Sequence, residues 1–271
     1  MAVNAIDPDH YDRFRRFLER SCGIVLGSNK QYLVASRLGQ LMARQGVRDL
    51  GELVQRLEGA GSHALRSAVI DAMTTNETQW FRDTYPFEML ESQLLPALDR
   101  GRVRIWSAAC SSGQEAYSLS MAVQEYRDRG RPVEASVVGT DISPQMIERA
   151  RAGAYSASEI RRGLSAERQR RFFVAVDKDT WRVRPEVSRG VSFRQHNLLE
   201  SFTLLGSFEI IFCRNVLIYF SLQARQDILH RMAQALVPGG YLVLGASESL
   251  PRQLNEFELV RTPQGVAYRR R

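Results

Sequence analysis

The amino-acid sequence predicts an α/β protein with a small all-helical N-terminal domain and a domain built on a mostly parallel β-sheet. Three observations support this prediction. Apolar residues in the first 75 positions recur at helical spacing and are interrupted by glycines. From Val103 onwards, apolar strand segments alternate with amphipathic helices, as in a sheet covered on both faces. About 37 residues between Gly153 and the segment VSFRQHN break that alternation, which indicates an inserted antiparallel β-subdomain.

Four helices are predicted in the N-terminal domain. The first carries Tyr11, Phe14, Phe17 and Leu18 on one face. The second extends from about Lys30 to Gln45, and we expect Ser28 or Asn29 to cap it. The third contains the apolar positions of 50–57, and the fourth begins near His63.

In the sheet domain, helices are predicted over 114–129, 144–153 and 222–237. Ser143 followed by Pro144 is typical of a capped helix start. Pro238-Gly239-Gly240 predicts a sharp turn. The predicted strands are VRIWSAA (103–109), ASVVGTDI (135–142), VSFRQHN (191–197), FEIIFC (208–213) and YLVLGAS (241–247), and a closing hairpin joins FELV (257–260) to VAYRR (266–270).

Composition excludes several classes of protein. The chain has 271 residues, 44% hydrophobic and 25% charged, which is typical of a globular protein and not of a disordered one. It contains no run of 18 apolar residues, so we expect no membrane insertion, and its start lacks the apolar segment of a signal peptide. Cys22, Cys110 and Cys213 are far apart, which favours reduced core thiols in a cytoplasmic protein and no metal site.

The positive charge is concentrated in one segment. The net charge is +7, and 35 of the 37 basic residues are arginine. Residues 151–195 alone contain 11 basic and 5 acidic residues, a balance of +6. Such a local excess suggests either an acidic partner, protein or nucleic acid, or simply a solvated surface. No aromatic RNA-binding signature or helix-turn-helix pattern favours nucleic acid.

A small-residue loop, Ser107 to Gly113, joins the first predicted strand of the sheet to its helix. Small side chains let a ligand approach the backbone closely. The loop lacks the three spaced glycines of the dinucleotide fingerprint, and Glu115 follows it, where a carboxylate would repel a diphosphate. Asp141, at the end of the second strand, can accept both hydroxyls of a ribose. These features favour a positively charged nucleoside such as S-adenosylmethionine. A nicotinamide cofactor is the alternative ligand, and a plain helix-capping turn is the alternative role for Asp141.

Five motifs in order resemble the chemotaxis receptor methyltransferases, the CheR family. They are TTNETQWFRD (74–83), RIWSAACSSGQEAYSLSM (104–121), VVGTDIS (137–143), HNLL (196–199) and FCRNVLIYF (212–220). The resemblance implies a helical receptor-docking domain over 1–75, a linker over 76–102 that contributes to the cofactor site, and a Rossmann-like class I methyltransferase domain over 103–271 with a β-subdomain at 155–190. It also implies S-adenosylmethionine as cofactor, S-adenosylhomocysteine as product, and methylation of glutamate side chains on the cytoplasmic methylation helices of chemoreceptors.

The same resemblance implies roles for individual residues. Tyr219 matches a tyrosine near the transferred methyl group, and Arg82 can contact either the cofactor or the incoming glutamate. The alternative for Tyr219 is core packing. The alternative for Arg82 is a linker arginine paired with Asp83 or with a neighbour. The residues that match cofactor-contacting positions are Asn76, Thr78, Arg82, Glu115, Asp141, Asn197, Leu198, Arg214 and Asn215.

Two surfaces are candidates for substrate docking. At about 100° per residue, Lys30, Arg37, Arg44 and Arg48 fall within about 40° of one another on a continuous helix, and the resemblance suggests that this basic stripe binds the receptor's acidic methylation helices. The alternative is a solvated helix face. In some family members the inserted subdomain captures a C-terminal receptor pentapeptide by strand addition.

Two other functions compete with receptor methylation. One is a non-catalytic signalling module that keeps the fold, although the matched site residues argue against it. The other is a nucleic-acid methyltransferase that uses the basic insertion. It is disfavoured because Asn215 to Tyr219 lacks the proline pair of the motif that acts on amino groups of bases.

Overall fold

A computed structural model describes residues 6–98, 101–251 and 253–271. The chain folds into two compact units, residues 1–75 with 219–225, and residues 76–218 with 226–271. The first five residues of the predicted helical domain and residues 99–100 of the predicted linker lie outside the described residues.

The first unit is helical and has its own apolar core. Phe14, Leu18, Leu38, Leu53 and Val69 are fully buried in it, as the helical spacing of the sequence predicts. Its helices are α1 (Pro8–Cys22), α2 (Gln31–Arg44), α3 (Leu50–Glu58) and α4 (His63–Met73).

The predicted cap of α2 is wrong. The cap position is Lys30, and no side chain accepts a hydrogen bond there. The preceding turn explains the difference, because the Lys30 amide donates to the Gly27 carbonyl and the Gln31 side chain donates to the Ser28 carbonyl. The polar groups around Ser28 and Asn29 therefore belong to a turn that ends one residue before the helix.

The second unit contains a seven-stranded sheet. Its strands are β1 (Arg102–Ala108), β2 (Glu134–Asp141), β6 (Val191–Gln195), β7 (Phe208–Cys213), β8 (Leu236–Leu244), β9 (Phe257–Arg261) and β10 (Val266–Arg270). They lie in the order β6-β2-β1-β7-β8-β10-β9. All neighbours are parallel except β10, which runs antiparallel to β8 and β9 and confirms the predicted hairpin.

The helices of this unit include the three predicted from periodicity. The Ser143 hydroxyl accepts from the Met146 amide and caps the helix that starts at Pro144, which confirms that prediction. Among the helices of the described ranges, none combines the length and apolar character needed to cross a membrane. The helices are α5 (Tyr85–Met89), α6 (Leu95–Leu98), α7 (Gln114–Asp128), α8 (Pro144–Ala152), α9 (Ala157–Arg161), α10 (Ala166–Phe172), α11 (Pro185–Ser188) and α12 (Leu222–Ala235), with a π-helical turn at Leu90–Leu94.

The turn predicted at Pro238-Gly239-Gly240 is absent, because β8 already begins at Leu236. The pairing of β8 with β7 shifts register between Phe208 and Ile210, and Gly239 has a φ of 77°. The proline and glycines thus form an irregularity inside the strand. Residues that favour turns also favour bulges, since both need unusual backbone angles.

The inserted segment forms a separate antiparallel sheet, which confirms the inserted β-subdomain. Its strands are β3 (Ala154–Ser156), β4 (Phe173–Ala175) and β5 (Thr180–Val183), in the order β3-β5-β4. Trp80 is fully buried and packs edge-on against Tyr155 at 4.8 Å and Phe173 at 5.1 Å. The small sheet is therefore anchored by an aromatic cluster within the second unit.

Candidate active site

The predicted cofactor loop lies beyond the carboxyl end of β1, and its backbone is tightly constrained. Ala109 and Ser111 adopt positive φ angles of 58° and 50°, and Gly113 has a φ of 95°. A Cβ atom at Gly113 would lie 2.9 Å from the Ala150 side chain, so only glycine fits this closely packed turn. The Cys110 amide donates to the carbonyl of Thr140 on β2 at 2.8 Å. The loop thus places its backbone and small, mostly buried side chains at the edge where open parallel sheets bind ligands.

Asp141 ends β2 and is held on both carboxylate oxygens. Its Oδ2 accepts from the Ser111 amide at 2.8 Å, and its Oδ1 accepts from the Ser143 amide at 2.9 Å. The residue is only 6% exposed. The capping-turn alternative does not account for this arrangement, because Ser143 caps α8 while Asp141 also binds the β1 loop. Each carboxylate oxygen can accept more than one hydrogen bond, as a carboxylate that binds ribose hydroxyls must.

Glu115 lies in the first turn of α7 and contacts a buried arginine. Its Oε1 accepts from the Ser107 hydroxyl at 2.7 Å, and its Oε2 accepts from Arg214 Nη1 at 2.9 Å. The Nη2 group of Arg214 donates to Asp83 at 2.7 Å and to the Arg82 carbonyl at 2.8 Å. The Arg214 side chain is 1% exposed.

The direct cofactor contact predicted for Arg214 stays a prediction. The side chain is almost fully buried, and both of its terminal nitrogens donate to protein oxygens. Its Nε atom is buried and has no hydrogen-bond partner. Arg214 joins the 82–83 segment to Glu115 and fixes the orientation of that carboxylate.

The segment that precedes α5 is strained and approaches the β1 loop. Phe81, Asp83 and Thr84 have positive φ angles of 47°, 68° and 52°. Such angles are uncommon for residues other than glycine, and they persist where the surrounding structure fixes them. The Asn76 carbonyl accepts from the Ser111 hydroxyl at 2.9 Å, which brings the predicted linker residues to the loop.

Two other predicted residues of this segment have side chains that are only partly buried. Arg82 donates through Nη1 to the Glu77 carbonyl at 3.3 Å, and Asp83 pairs with Arg214 instead of with Arg82. Of the alternatives for Arg82, the structure therefore shows a bond to a neighbour, Glu77, and not the pair with Asp83. Thr78 is also half-buried, so its hydroxyl group is not sealed in the core.

The turn after β6 completes the site on the other side of β2. The His196 amide donates to the Asp141 carbonyl at 2.9 Å, and Asn197 Oδ1 accepts from the Leu199 amide at 3.0 Å. Leu198 is 6% exposed. The His196 Nε2 atom is buried and has no partner, and burial lowers the pKa of this imidazole. The neutral His196 ring, with its Nε2 atom unpaired, lies next to Asn197 and Leu198 in the chain. These three residues suit a neutral heterocycle such as adenine.

Sequence reasoning missed Glu248. Its carboxylate accepts four backbone amides, from Asn215, Val216, Leu217 and Gly245, at 2.7 to 3.0 Å. Asn215 itself has a φ of 57°. The rule that polar residues after parallel strands gather at one edge could have found Glu248, because it follows the strand segment YLVLGAS.

Tyr219 belongs to the first unit, with the helices. Its carbonyl accepts from the Val25 amide at 2.9 Å, and its side chain is half-buried. The predicted role of Tyr219 near the methyl group therefore stays a prediction.

The basic stripe predicted on one helix is only partly right. Helix α2 contains Arg37 and Arg44, but Lys30 precedes it and Arg48 lies beyond its end. Arg37 is half-buried and donates to the carbonyls of Met73 and Thr74 at 2.6 and 3.1 Å, and to the Thr75 hydroxyl at 3.0 Å. The four residues would share a face only if α2 continued to Arg48, and it ends at Arg44. In addition, the Arg37 guanidinium is not free, because it holds the end of α4.

Within the ranges that the structure describes, no group of three or more histidine, cysteine, aspartate or glutamate side chains could hold a metal ion. Cys22, Cys110 and Cys213 are free and buried. Burial raises the pKa of Cys22 to about 11, so this thiol stays protonated at neutral pH.

Comparison with known proteins identifies the family. Residues 76–266 match the family described as CheR methyltransferase, SAM binding domain, and residues 9–74 match CheR methyltransferase, all-alpha domain. The chain belongs to the CheR methyltransferase family. S-adenosylmethionine is therefore the cofactor of its α/β domain, and the carboxylates and small-residue loop described above fit a positively charged nucleoside.

Similar members of the CheR family cover nearly the whole chain. A chemotaxis protein methyltransferase of Pseudomonas aeruginosa is 52% identical and covers 96% of this chain and 97% of its own length. One from Pseudomonas putida is 50% identical, with 95% and 96% covered. One from Vibrio parahaemolyticus is 48% identical, with 99% of both chains covered.

Proposed function

We propose that this protein methylates glutamate side chains of chemoreceptors in the cytoplasm, with S-adenosylmethionine as methyl donor. The names of its similar relatives support the receptor as substrate. The observation that carries the proposal is the pair of carboxylates beside a loop without a glycine-rich phosphate cradle. Glu115 follows the loop in α7, and Asp141 at the end of β2 accepts from the loop's Ser111 amide. A pair of negative charges there favours a sulfonium nucleoside over a dinucleotide.

We assign the cofactor to residues of four adjoining segments. Asp141 accepts the ribose hydroxyls, Asn197 and Leu198 flank the adenine, and Glu115 provides negative charge for the cationic end of the ligand. The remaining contacts are assigned to Asn76, Thr78, Arg82, Arg214 and Asn215. When bound, S-adenosylmethionine supplies a methyl group activated by a positively charged sulfur.

The substrate glutamate needs no general base. Its side chain has an ordinary pKa of about 4.3 and is ionised at neutral pH. A carboxylate oxygen forms the new bond to the methyl carbon, and the carbon–sulfur bond breaks with its electron pair left on sulfur. The products are a glutamate methyl ester and S-adenosylhomocysteine, and no proton moves. Alignment of the reacting groups then supplies most of the rate enhancement.

Arg82 and Tyr219 are the proposed catalytic residues. The guanidinium of Arg82 makes one long hydrogen bond, 3.3 Å to the Glu77 carbonyl, and so retains donors for a carboxylate. Tyr219 is proposed to orient the substrate carboxylate through its hydroxyl. We expect Tyr219→Phe to keep the affinity for S-adenosylhomocysteine and lower turnover. Unchanged turnover would remove Tyr219 from the mechanism.

We propose that the exposed basic residues Lys30, Arg44 and Arg48 dock the acidic methylation helices, with Arg37 in a supporting structural role. Charge reversal at Arg44 and Arg48 should weaken receptor methylation and increase its sensitivity to salt. Cofactor affinity should not change. An equal loss of cofactor affinity would show that these residues act on the fold and not on docking.

The β-subdomain is the proposed site for a receptor's C-terminal pentapeptide. Strand β4 lies at an edge of the small sheet, and Val174 and Val176 are exposed there. Arg182 pairs with Val174 in the register of β5 and supplies positive charge beside that edge. An added peptide strand would gain main-chain hydrogen bonds from β4. Titration of the protein with the peptide tests this, and absence of binding would reject it.

One experiment separates the possible functions. The protein is incubated with methyl-labelled S-adenosylmethionine and with receptor, receptor whose methylation-site glutamates are replaced by alanine, or DNA. We expect label only in the unmodified receptor, released as methanol by mild base because it is held as an ester. Label in DNA would support the nucleic-acid alternative, and cofactor binding without transfer to any substrate would support a non-catalytic module.

A further inference from the structure

We infer that Glu248 is a positioning residue that sets the cofactor-contacting turn at Asn215, an inference that rests on the proposed cofactor site. Glu248 follows β8, while Asn215 follows the neighbouring parallel strand β7. The carboxylate therefore links the ends of two adjacent strands.

The hydrogen bonding of Glu248 is unusually complete for a side chain in a loop. Its Oε2 accepts from the Asn215 amide at 2.7 Å and the Gly245 amide at 2.9 Å. Its Oε1 accepts from the Val216 amide at 3.0 Å and the Leu217 amide at 2.8 Å. Three consecutive amides of the turn thus point at one carboxylate, whose two oxygens accept all of them and bind more strongly than neutral acceptors would.

The turn needs this support because its backbone conformation is unfavourable without outside contacts. Asn215 has a left-handed φ of 57°, which is uncommon for a residue with a side chain. Gly245 leaves the space that the carboxylate uses. A Cβ atom there would lie 2.6 Å from Glu248 Oε2 and 2.9 Å from the Asn215 nitrogen. The glycine and the glutamate therefore act together to hold the Asn215 backbone in place.

Substitution of Glu248 by glutamine separates positioning from simple stability. A glutamine side chain would keep one acceptor oxygen, and its amide group would face two backbone N–H donors. We expect Glu248→Gln to raise the Kd for S-adenosylhomocysteine and the KM for S-adenosylmethionine at least tenfold, with kcat within about threefold. If Glu248 only stabilised the fold, the variant would instead contain a smaller fraction of active protein. The calorimetric stoichiometry and the apparent kcat would then fall, and Kd would stay unchanged.

Two matched variants control this experiment. Glu258 is exposed and pairs with Arg269 at 3.3 Å, so Glu258→Gln should leave Kd, KM and kcat unchanged. Glu248→Asp keeps the charge and shortens the reach of the carboxylate toward the four amides, so it should raise Kd in the same direction as Glu248→Gln. It keeps the inference testable where Glu248→Gln fails to fold.

The variant Asn215→Ala distinguishes failure of the inference from failure of the proposed site. If Asn215→Ala leaves Kd unchanged, the assignment of Asn215 to the cofactor is wrong. If Asn215→Ala weakens binding and Glu248→Gln does not, the inference is overturned. In the double variant Glu248→Gln/Asn215→Ala, we expect a Kd within about threefold of that of the single variant that binds the ligand less tightly, because both changes act on one contact. Multiplication of the two single effects would show that Glu248 acts elsewhere and would also overturn the inference.

Discussion

Replacement of Arg214 by methionine tests whether this residue organises the site from within the core. The change removes hydrogen bonds of 2.9 Å to Glu115, 2.7 Å to Asp83 and 2.8 Å to the Arg82 carbonyl. Loss of one partner of a buried ion pair costs about 3–5 kcal/mol, because the other charge remains buried without compensation. Asp83 is 37% exposed and regains water, and Arg214 Nε already lacks a partner. We therefore expect a loss near the lower end, about 3 kcal/mol.

Calorimetric unfolding measures this loss. For a domain of this size, about 3 kcal/mol corresponds to a decrease in Tm of roughly 6–12 °C. The exposed Arg269, paired with Glu258 at 3.3 Å, is the matched control, and Arg269→Met should cost less than about 0.5 kcal/mol. Adding Glu115→Gln to Arg214→Met removes the uncompensated charge and should restore part of the loss. A loss below about 1 kcal/mol for Arg214→Met, or no recovery in the double variant, would refute the reasoning.

Three further predictions concern single contacts. The buried Tyr155 hydroxyl donates to the Ser112 carbonyl in the cofactor loop at 2.7 Å, so Tyr155→Phe should cost about 1–2 kcal/mol in unfolding and weaken S-adenosylhomocysteine binding; unchanged affinity in calorimetry would contradict a role for this contact in the loop. Arg37→Ala should destabilise the helical unit by about 1–3 kcal/mol in thermal unfolding, whereas the exposed Arg44→Ala should change it by less than about 0.5 kcal/mol; equal effects would reject the structural role of Arg37. Burial lowers the pKa of His196, so the neutral ring stabilises the folded protein fully above about pH 6.5, and this stabilisation is lost as the pH falls below that value. His196→Gln should therefore reduce the dependence of Tm on pH between pH 7 and 5. If that dependence is unchanged, another group is responsible for it.

Local sequence patterns predicted the elements whose signals are local. The Ser143 cap, the β9–β10 hairpin and the amphipathic helices depend on residues a few positions apart. The pattern failed where the same residues suit two structures, as at Pro238–Gly240, which forms an irregularity inside a strand. The sequence pattern also failed for the basic stripe. Helix α2 ends at Arg44, so Arg48 does not continue the helical face that carries Arg37 and Arg44.

The sequence was enough to propose where the candidate site lies, but not how its side chains bond to one another. Strand ends and the small-residue loop identified Glu115 and Asp141 from the chain alone. The contact of Arg214 with Glu115 joins residues 99 positions apart, and that of Glu248 with Asn215 joins residues 33 apart. Periodicity carries no information about such pairs, since they form only after the parallel strands align. Consequently the sequence indicated which residues gather at the sheet edge, but not that Arg214 is buried beneath them.

The bonding of these carboxylates also favours a positively charged cofactor over a phosphate-bearing one. Backbone amides bind Asp141 and Glu248 without neutralising them, because an amide has no net charge. Four acidic and two basic side chains lie in this network, so their formal charges sum to −2. The negative members are Asp83, Glu115, Asp141 and Glu248, and the positive members are Arg82 and Arg214. At an effective dielectric constant near 20, one pair of unit charges about 4 Å apart interacts by roughly 4 kcal/mol. A diphosphate would add to the repulsion while a sulfonium would relieve it, so the charge balance itself disfavours the nicotinamide alternative.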